Sequence, residues 1–290
     1  PAMTDLDGRQ AGATFLRNNL DKRSVGIDLK HPRGKELVLE LAGKVDVLGE
    51  NFKAGTMDRL GLGYDVVSER YPRLIYVSVS GFGNTGGSPY AAWPAYAMVP
   101  EAMSGLYDYA RVGDEPPCVT PAGALGDISS ALFAVIGVLA ALRHRDATGL
   151  GQRVDIAMLD SMLAMTDVVT NFWSLGEDGS PKGIMGSFRS SDGWFAMQVV
   201  REHQFERLAE LVEAADWLTD ERLSTRAGWA THMEEIVRPP VERWAAGRTR
   251  LEVCDELGRA GIPSGPCFTT PEVVADEHVA KRNMLVDHQG

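Results

Sequence analysis

A carboxylate at the start of a long apolar stretch is the first group in the sequence that could do chemistry. Asp127 follows a loop rich in Pro and Gly and precedes an apolar run at residues 128–145, which we predict to be a helix. An aspartate there is most often an N-cap, whose side chain accepts backbone N–H groups and stabilises the helix by about 1 kcal/mol. The same N–H groups and the helix dipole would keep the carboxylate ionised, which suits a nucleophile.

A second candidate lies where a predicted strand passes into a short helix, in GENFKAGTMDR at residues 49–59. The first turn of a helix leaves backbone N–H groups free, and such groups bind anions. Lys53 and Arg59 add positive charge to this turn. An ordinary βα loop with surface cations has the same composition and is the commoner explanation on spacing alone. The sequence has no GxGxxG motif, so the dinucleotide fingerprint is absent.

Residues 24–80 position that turn. β-rich and helical runs alternate there, in the order SVGIDL, PRGKELVLELAG, VDVLGENF, YDVVSERYP and LIYVSVSG. This βαβαβ pattern predicts a parallel sheet with right-handed crossovers. Ligands of such sheets bind beyond the carboxyl ends of the strands, so we expect a site in the loops that follow them.

The rest of the sequence predicts an α/β large domain and a smaller α+β domain. Helices are predicted at residues 96–109 and 160–175, with a strand between them in QRVDIAML. Gly, Ser and Pro cluster in GEDGSPKGIMGS, which indicates a linker. We therefore predict a large domain at 1–176, a linker at 177–191 and a small domain at 192–290. The small domain has one predicted strand, WFAMQVV, followed by amphipathic helices.

Composition narrows the functional classes. The 290 residues carry a net charge of −11, which disfavours nucleic acid because its binding normally needs a basic face. Cys118, Cys254 and Cys267 match neither a disulfide framework nor a zinc site, so we expect no metal and a reducing compartment. No secretory signal opens the sequence, and its longest apolar run, 128–142, is shorter than the roughly 20 residues of a membrane span. We expect a cytoplasmic protein without membrane contact, with that run as a buried helix.

The residues from 122 to 163 carry a more specific signal. The stretch AGALGDISSALFAVIGVLAALRHRDATGLGQRVDIAMLDSML resembles the family III CoA-transferases, the relatives of formyl-CoA transferase and of the carnitine and bile-acid CoA-transferases. Four further stretches match in the same order: LRNNLDKRSVGIDLKHPRGKELV, ENFKAGTMDRLGL, PAYAMVPEAMSG and GIPSGPCFTTPEV. Each match alone is weak, but five in order cover nearly the whole chain. On this basis the chain is identified as a member of the family.

The resemblance implies an acyl-CoA transferase that moves CoA between an acyl-CoA and a small carboxylic acid. It implies that Asp127 attacks the thioester carbonyl, giving an acyl-aspartyl anhydride and free CoA thiolate. CoA is then carried on the aspartate as a thioester. No permanently bound cofactor is expected, because the coenzyme A thioester is a substrate. The resemblance also implies a Rossmann-like large domain and an interlocked homodimer.

The resemblance also assigns the residues that would hold CoA. They are Ile27 and Lys30 after the first predicted strand, and Asn51, Phe52, Thr56 and Arg59 in the turn. Lys30 and Arg59 are the expected phosphate partners. Phe52 would pack on the adenine, although a core position is equally common for such an aromatic. Tyr96 stands where transferases of this family carry an active-site tyrosine.

Several positions bear on a second function, α-methylacyl-CoA racemisation. The related racemases carry a His and an Asp where this chain has Tyr96 and Ala97, so one of the two acid/base groups that they need is absent. Glu202 resembles a racemase glutamate and would assist Asp127 as acid or base in that alternative, although a cap or a solvated charge is its commoner role. Glu101 replaces a glutamine common in the family and is another candidate for an assisting residue.

The two ends of the sequence keep a third function open. The family normally begins with a further strand, helix and strand, and ends with a segment that returns to the large sheet. This sequence starts and stops inside those limits. Either it is part of a longer protein, or it is a shortened relative with a defective nucleotide site. The second case would be a non-catalytic CoA-thioester binder.

Overall fold

The structure is a computed structural model, and it describes residues 2–4, 8, 10–111, 113–117, 119, 123–166, 168–176, 179 and 182–285. Two compact units form, one from Leu20–Gly179 and the other from Pro1–Asn19 together with Ser180–Gly290. The first residues thus group with the second unit, although we assigned them to the large domain.

The described residues contain the following elements. The strands are β1 (Ala2–Thr4), β2 (Gln10–Gly12), β3 (Val47–Glu50), β4 (Ile75–Ser80), β5 (Arg153–Ala157), β6 (Ile184–Arg189), β7 (Trp194–Val199) and β8 (Ser264–Pro266). The helices are α1 (Ala13–Asn18), α2 (Pro32–Ala42), α3 (Thr56–Leu60), α4 (Tyr64–Arg70), α5 (Met98–Met103), α6 (Leu106–Tyr109), α7 (Leu125–Thr148), α8 (Met158–Ala164), α9 (Glu202–Leu211), α10 (Arg226–Thr231), α11 (Arg238–Ala245), α12 (Arg250–Arg259), α13 (Thr270–Ala275) and α14 (Glu277–Lys281). Short π- or 3-10-helical turns lie at Val168–Phe172, Trp173–Leu175, Ala215–Leu218, Glu221–Leu223 and Met233–Val237.

The predicted parallel sheet is confirmed in the unit Leu20–Gly179. β3, β4 and β5 pair in that order, and both pairings are parallel. Tyr76 on the central strand β4 packs into a core with residues of α2 and α4, while Ile75 and Val77 pack with α7 on the opposite face. Because alternate side chains of a strand point to opposite faces, β4 is buried on both sides. The carboxyl ends of all three strands share one edge of the sheet.

One predicted strand does not form. Residues 24–28 of the run SVGIDL have no regular structure. A strand needs a neighbour that satisfies its backbone N–H and C=O groups, and among the described strands β3 pairs with β4 alone. The segment ends instead in a turn, where Lys30 N–H donates to Asp28 Oδ1 at 2.9 Å and His31 N–H donates to the Asp28 carbonyl oxygen at 3.2 Å.

Two predicted helices are interrupted or shortened. The run at residues 96–109 forms α5 and α6, because Gly105 between them has a φ of +83° that a helix cannot continue through. The run at residues 160–175 forms α8, which begins two residues earlier and ends at Ala164. The predicted strand between these helices is β5.

Helix α7 is longer and more exposed than we predicted. One face packs on Ile75, Val77 and Val154 of the sheet. The other face leaves Leu132 and Ile136 57% and 60% exposed, so the expectation of a buried helix was wrong. An apolar run predicts a helix but does not reveal how many of its sides this chain covers. Within the described residues, α7 alone has the length and composition to cross a membrane.

The second unit is built on an antiparallel sheet in the order β6-β7-β8. The predicted strand WFAMQVV is β7, and the amphipathic helices cover a core in which the rings of Phe205 and Trp229 stack with centroids 4.3 Å apart. β6 lies inside the predicted linker at 177–191, so that prediction was wrong from Ile184 onward. The Gly and Ser residues suggested a breaker, but Phe188 is fully buried opposite Phe195 and fixes the strand in the core.

Candidate functional site

Three segments meet at the carboxyl edge of the parallel sheet. They are the turn after β3, the loop after β4 (residues 81–97) and the first turn of α7. The loop contacts both of the others. Asn84 Oδ1 accepts the N–H of Gly55 at 3.2 Å, and a Cβ on Gly126 would lie only 3.1 Å from the Ala97 carbonyl oxygen. The edge predicted from the βαβαβ pattern therefore brings together segments that are distant in sequence.

The turn after β3 is held by its own backbone. Phe52 N–H donates to Glu50 Oε2 at 2.8 Å, and Gly55 has a φ of +72°, a conformation that residues with a side chain rarely adopt. α3 begins at Thr56, whose Oγ1 accepts a hydrogen bond from Arg59 Nη2 at 2.9 Å. Phe52 is 45% exposed, so the alternative of a core aromatic was wrong. Its ring is open to a ligand.

The other residues expected to hold CoA lie on nearby segments of the same unit. Asn51 is exposed directly after β3, and Lys30 is exposed in the turn that leads into α2. Ile27 is half-buried, and its Cγ2 would lie 3.2 Å from a Cβ on Gly34, a buried residue of α2. No hydrogen bond within the described part of the chain joins Lys30 to the turn after β3.

Sequence reasoning missed three polar residues that join these loops. Asp155 on β5 accepts hydrogen bonds at Oδ2 from the backbone N–H and the hydroxyl of Thr85, both at 2.7 Å, and from the Asn84 backbone N–H at 2.9 Å. The one local signal was an aspartate inside the apolar strand RVDIA. Its partners are 70 and 71 residues away, so no periodicity could have identified them.

Asp127 does not have the surroundings that we predicted. The N–H of Gly126, the residue before it, donates to Glu101 Oε1 at 3.0 Å. Asp127 itself is exposed in the first turn of α7, and the N-cap residue is Ala124. Partial loss of hydration raises the pKa of the Asp127 carboxyl, and the negative charge of Glu101 raises it further. We expected the helix to favour the ionised form and so to lower the pKa of Asp127. The pKa is raised instead, so that expectation was wrong.

Glu101 is a buried carboxylate at the base of the site. Its side chain lies on α5, the residue is only 3% exposed, and Tyr107 Oη donates to its Oε2 at 2.5 Å. This hydrogen bond, with burial, raises the pKa of Tyr107 to about 12. Glu101 thus joins α5, α6 and the first turn of α7, and it adds a negative charge close to Asp127.

Tyr96 stands at the surface, in the loop that contacts the first turn of α7. It is 85% exposed and directly precedes Ala97, which packs against Gly126. Tyr96 and Asp127 are therefore the chain neighbours of two residues in close contact. The arrangement combines an exposed carboxylate, an exposed phenol and a buried second carboxylate at one end of a parallel sheet.

Comparison with known proteins assigns this arrangement to a family. The sequence profile described as CoA-transferase family III matches residues 2–290. The chain belongs to CoA-transferase family III. This CoA-transferase is 33% identical over 298 residues to the succinyl-CoA:mesaconate CoA-transferase of Haloarcula hispanica. The matched region covers 99% of this chain and 74% of that enzyme. It is 31% identical over 280 residues to the acetyl-CoA:oxalate CoA-transferase of Acetobacter aceti, over 94% and 71% of the two chains.

Solved structures agree with the family and the fold. A CAIB/BAIF family protein from Brucella suis matches this CoA-transferase with a TM-score of 0.80 at 31% identity, over 100% of this chain and 78% of that chain. Rv3272 from M. tuberculosis matches with a TM-score of 0.80 at 27% identity, over 92% and 72%. The prediction of an α/β enzyme of this family is confirmed.

Glu202 of this CoA-transferase is engaged in an ion pair. It lies in the first turn of α9, and its two carboxylate oxygens accept hydrogen bonds from Arg226 at 2.9 and 2.8 Å. These hydrogen bonds lower the pKa of Glu202. A carboxylate held in the ionised form by an arginine is a weaker base, so this pair disfavours the assisting role that racemisation would require.

The described part of this CoA-transferase contains no group of three or more His, Cys, Asp or Glu side chains that could hold a metal ion. Cys254 is half-buried and Cys267 is exposed, and both are free thiols. Cys118 lies outside the described residues. The absence of a metal and the reducing compartment remain predictions.

Proposed function

We propose that the protein moves CoA from an acyl-CoA to a small carboxylic acid through a covalent intermediate on Asp127. One observation carries the proposal. Asp127 is an exposed carboxylate in the first turn of α7, and partial loss of hydration together with the charge of Glu101 raises its pKa. A carboxylate that binds protons more strongly is also the better nucleophile once it is ionised. The names of the relatives support small acids, since they include mesaconate and oxalate.

The proposed reaction transfers CoA from the donor acyl group to the acceptor acid without a net proton transfer. Asp127 attacks the thioester carbonyl carbon of the donor, the C–S bond breaks, and CoA leaves as a thiolate, which gives an acyl-aspartyl anhydride. The thiolate then attacks the aspartyl carbonyl and releases the donor acid, so that CoA is held on Asp127 as a thioester. The acceptor carboxylate then attacks the aspartyl thioester carbonyl and displaces the CoA thiolate, which gives a new anhydride. The thiolate attacks the acceptor's carbonyl carbon in that anhydride, which forms the product acyl-CoA and releases Asp127. Holding the reacting groups together supplies much of the rate.

The turn after β3 would hold the nucleotide end of CoA. In a chain with a net charge of −11, a polyanion needs local cations, and Arg59 and Lys30 are exposed ones. The exposed ring of Phe52 would stack on the adenine. Ile27, Asn51 and Thr56 would line the same site, and Tyr96 would face the acyl group beside Asp127.

The exposed face of α7 supports an interlocked homodimer. Besides the two residues named above, Val135 and Leu139 are 57% and 61% exposed on this helix. Contiguous apolar surface of this kind is seldom left in water. We propose that a second copy covers it. Light scattering on the eluting protein should give twice the chain mass, and a monomer with full transfer activity would contradict the proposal.

Transfer is tested against racemisation and simple binding in deuterated water. The protein is incubated with succinyl-, acetyl- or 2-methylacyl-CoA, with and without a free acid such as mesaconate or oxalate. The products are then examined by mass spectrometry. We expect CoA to move to the added acid, with no deuterium at the α-carbon of the donor.

Each other outcome identifies a different function. A racemase would introduce deuterium at the α-carbon without an acceptor, because a base must remove that proton. In that case Asp127 would act as an acid/base residue. A non-catalytic binder would give neither product, although CoA would still raise its Tm because it binds the folded state.

A further inference from the structure

The loop after β4 is joined to β5 by a carboxylate whose two oxygens both accept hydrogen bonds. Asp155 is half-buried on β5, and both of its oxygens accept hydrogen bonds from this loop. Oδ2 accepts the backbone N–H and the hydroxyl of Thr85 at 2.7 Å. Oδ1 accepts the backbone N–H of Asn84 at 3.1 Å and its side-chain Nδ2 at 3.3 Å. The Asn84 amide is therefore held with its nitrogen toward Asp155 and its oxygen turned away.

That oxygen reaches the neighbouring turn. Asn84 Oδ1 accepts the N–H of Gly55 at 3.2 Å, across 29 residues of chain. Gly55 is in the left-handed conformation and is the N-cap of α3, so its orientation sets the direction of the helix that carries Arg59. The guanidinium of Arg59 lies over Gly55, since a Cβ there would be 3.3 Å from Nη1. One side chain thus connects β5, the loop after β4 and the turn after β3.

We propose that Asn84, oriented by Asp155, is a positioning residue for the CoA site, because it fixes Gly55 and thereby the direction from which Arg59 meets a phosphate. This inference rests on the proposed function of the turn after β3. Asn84 is suited to the role because its amide nitrogen donates on one side and its amide oxygen accepts on the other, whereas a carboxylate could only accept. Preorganisation of this kind raises affinity without adding a ligand contact.

Thr85 provides the matched control. Within the described residues its hydroxyl makes one hydrogen bond, to Oδ2 of the same Asp155, and Thr85→Val removes that donor at nearly constant volume. Asn84→Leu removes the side-chain hydrogen bonds to Asp155 and from Gly55 together, and keeps the backbone N–H that donates to Asp155. Each variant removes one side-chain donor to Asp155. A purely structural role for Asn84 therefore predicts similar losses of CoA affinity in both variants.

The experiment measures CoA affinity by calorimetry and the KM of acyl-CoA and of acceptor acid separately. Asn84→Leu should weaken CoA binding and raise the KM of acyl-CoA about five- to tenfold, the worth of one hydrogen bond. The KM of the acceptor acid should stay within twofold. Thr85→Val should leave all three within twofold. If Asn84→Leu does not fold, Asn84→Ala repeats the test without adding a bulky apolar group.

A double-variant cycle tests whether Asn84 acts through Arg59. Because Asn84 only orients that cation, Asn84→Leu should cost little extra CoA affinity when Arg59→Ala is already present. Fully additive losses would overturn the inference, as would equal losses in Asn84→Leu and Thr85→Val, or failure of both Asn84 variants to fold. The proposed function fails separately, if the unaltered protein does not bind CoA or if Arg59→Ala leaves its affinity unchanged.

Discussion

Asp155 and Asp127 are both aspartates of the unit Leu20–Gly179, but their surroundings differ. Asp155 lies in β5, and its two oxygens accept hydrogen bonds from the loop after β4. The donors are backbone N–H groups, one hydroxyl and one side-chain amide. Asp127 sits in the first turn of α7, where the neighbouring N–H of Gly126 is taken by Glu101. The same side chain is therefore an anchor between two segments at Asp155 and an exposed carboxylate at Asp127.

The donors around Asp155 occupy the lone pairs with which its carboxylate would otherwise react. At Asp127, lost hydration and the charge of Glu101 raise the pKa of the carboxyl. Groups with such shifts are common among catalytic residues, although shifts also occur in structural ion pairs.

The largest effect should follow the loss of the open carboxylate. Asp127→Asn keeps the size of the side chain but removes its nucleophilic oxygen, so transfer should fall by several orders of magnitude, as is common for a lost covalent catalyst. CoA binding should change little. Asp160→Asn is the matched control, because Asp160 is also an exposed aspartate in the third position of a helix, α8. Near-normal turnover in Asp127→Asn would remove Asp127 from the mechanism.

A smaller effect is expected from the cations of the turn. Arg59→Ala and Lys30→Ala should each weaken CoA binding by about 10- to 100-fold, since a hydrogen bond to a charged group contributes about 1.5–3 kcal/mol. Calorimetry with CoA measures this. Arg70→Ala removes an exposed arginine of α4 that pairs with Glu36, and it should leave the affinity unchanged. Unchanged affinity in both site variants would place the phosphates elsewhere.

The smallest effect should be a shift in pH dependence. The proposed mechanism needs Asp127 as the anion, so we expect activity to be lost as the pH falls through the raised pKa of its carboxyl. Glu101→Gln removes the neighbouring charge that raises this pKa. The pKa of Asp127 should then decrease, and the acid limb of the kcat profile should move to lower pH. Gln still accepts the N–H of Gly126, so the first turn of α7 should persist.

Glu69→Gln on α4 is the control for that profile, because it removes an exposed charge outside the site. It should not move the acid limb. The titratable groups in contact with Glu101 or shifted by it are Tyr107 on α6 and Asp127 on α7. An acid limb that stays in place in Glu101→Gln, or moves to higher pH, would mean that Asp127 does not set it.

Local patterns predicted the large-scale arrangement of the site. Alternating apolar runs predicted the parallel sheet, and its carboxyl edge does carry the turn at residues 49–59. The same reasoning failed for SVGIDL, because β-propensity does not supply a pairing partner. It also failed for the outer face of α7, because an apolar helix looks the same in sequence whether this chain or another molecule covers it.

The contacts that shape the site could not be predicted from sequence patterns. Glu101 and Gly126 are 25 residues apart, and Asn84 and Asp155 are 71 apart, so neither pair leaves a periodic signal. The environment of Asp127 depends on the first pair. Its position before an apolar run correctly indicated the start of a helix, but which carboxylate would receive the free N–H was decided by tertiary packing.

Covalent acylation of Asp127, which we propose, can be measured directly by trapping. The protein is incubated with acyl-CoA, treated with hydroxylamine, digested and analysed by mass spectrometry. Hydroxylamine attacks the aspartyl carbonyl of the anhydride or of the CoA thioester and leaves a hydroxamate on the side chain. We expect this mark on Asp127 only when acyl-CoA is present, and we expect none in Asp127→Asn. A hydroxamate on Glu101 or on another carboxyl, or none in a protein that transfers CoA, would contradict the proposal.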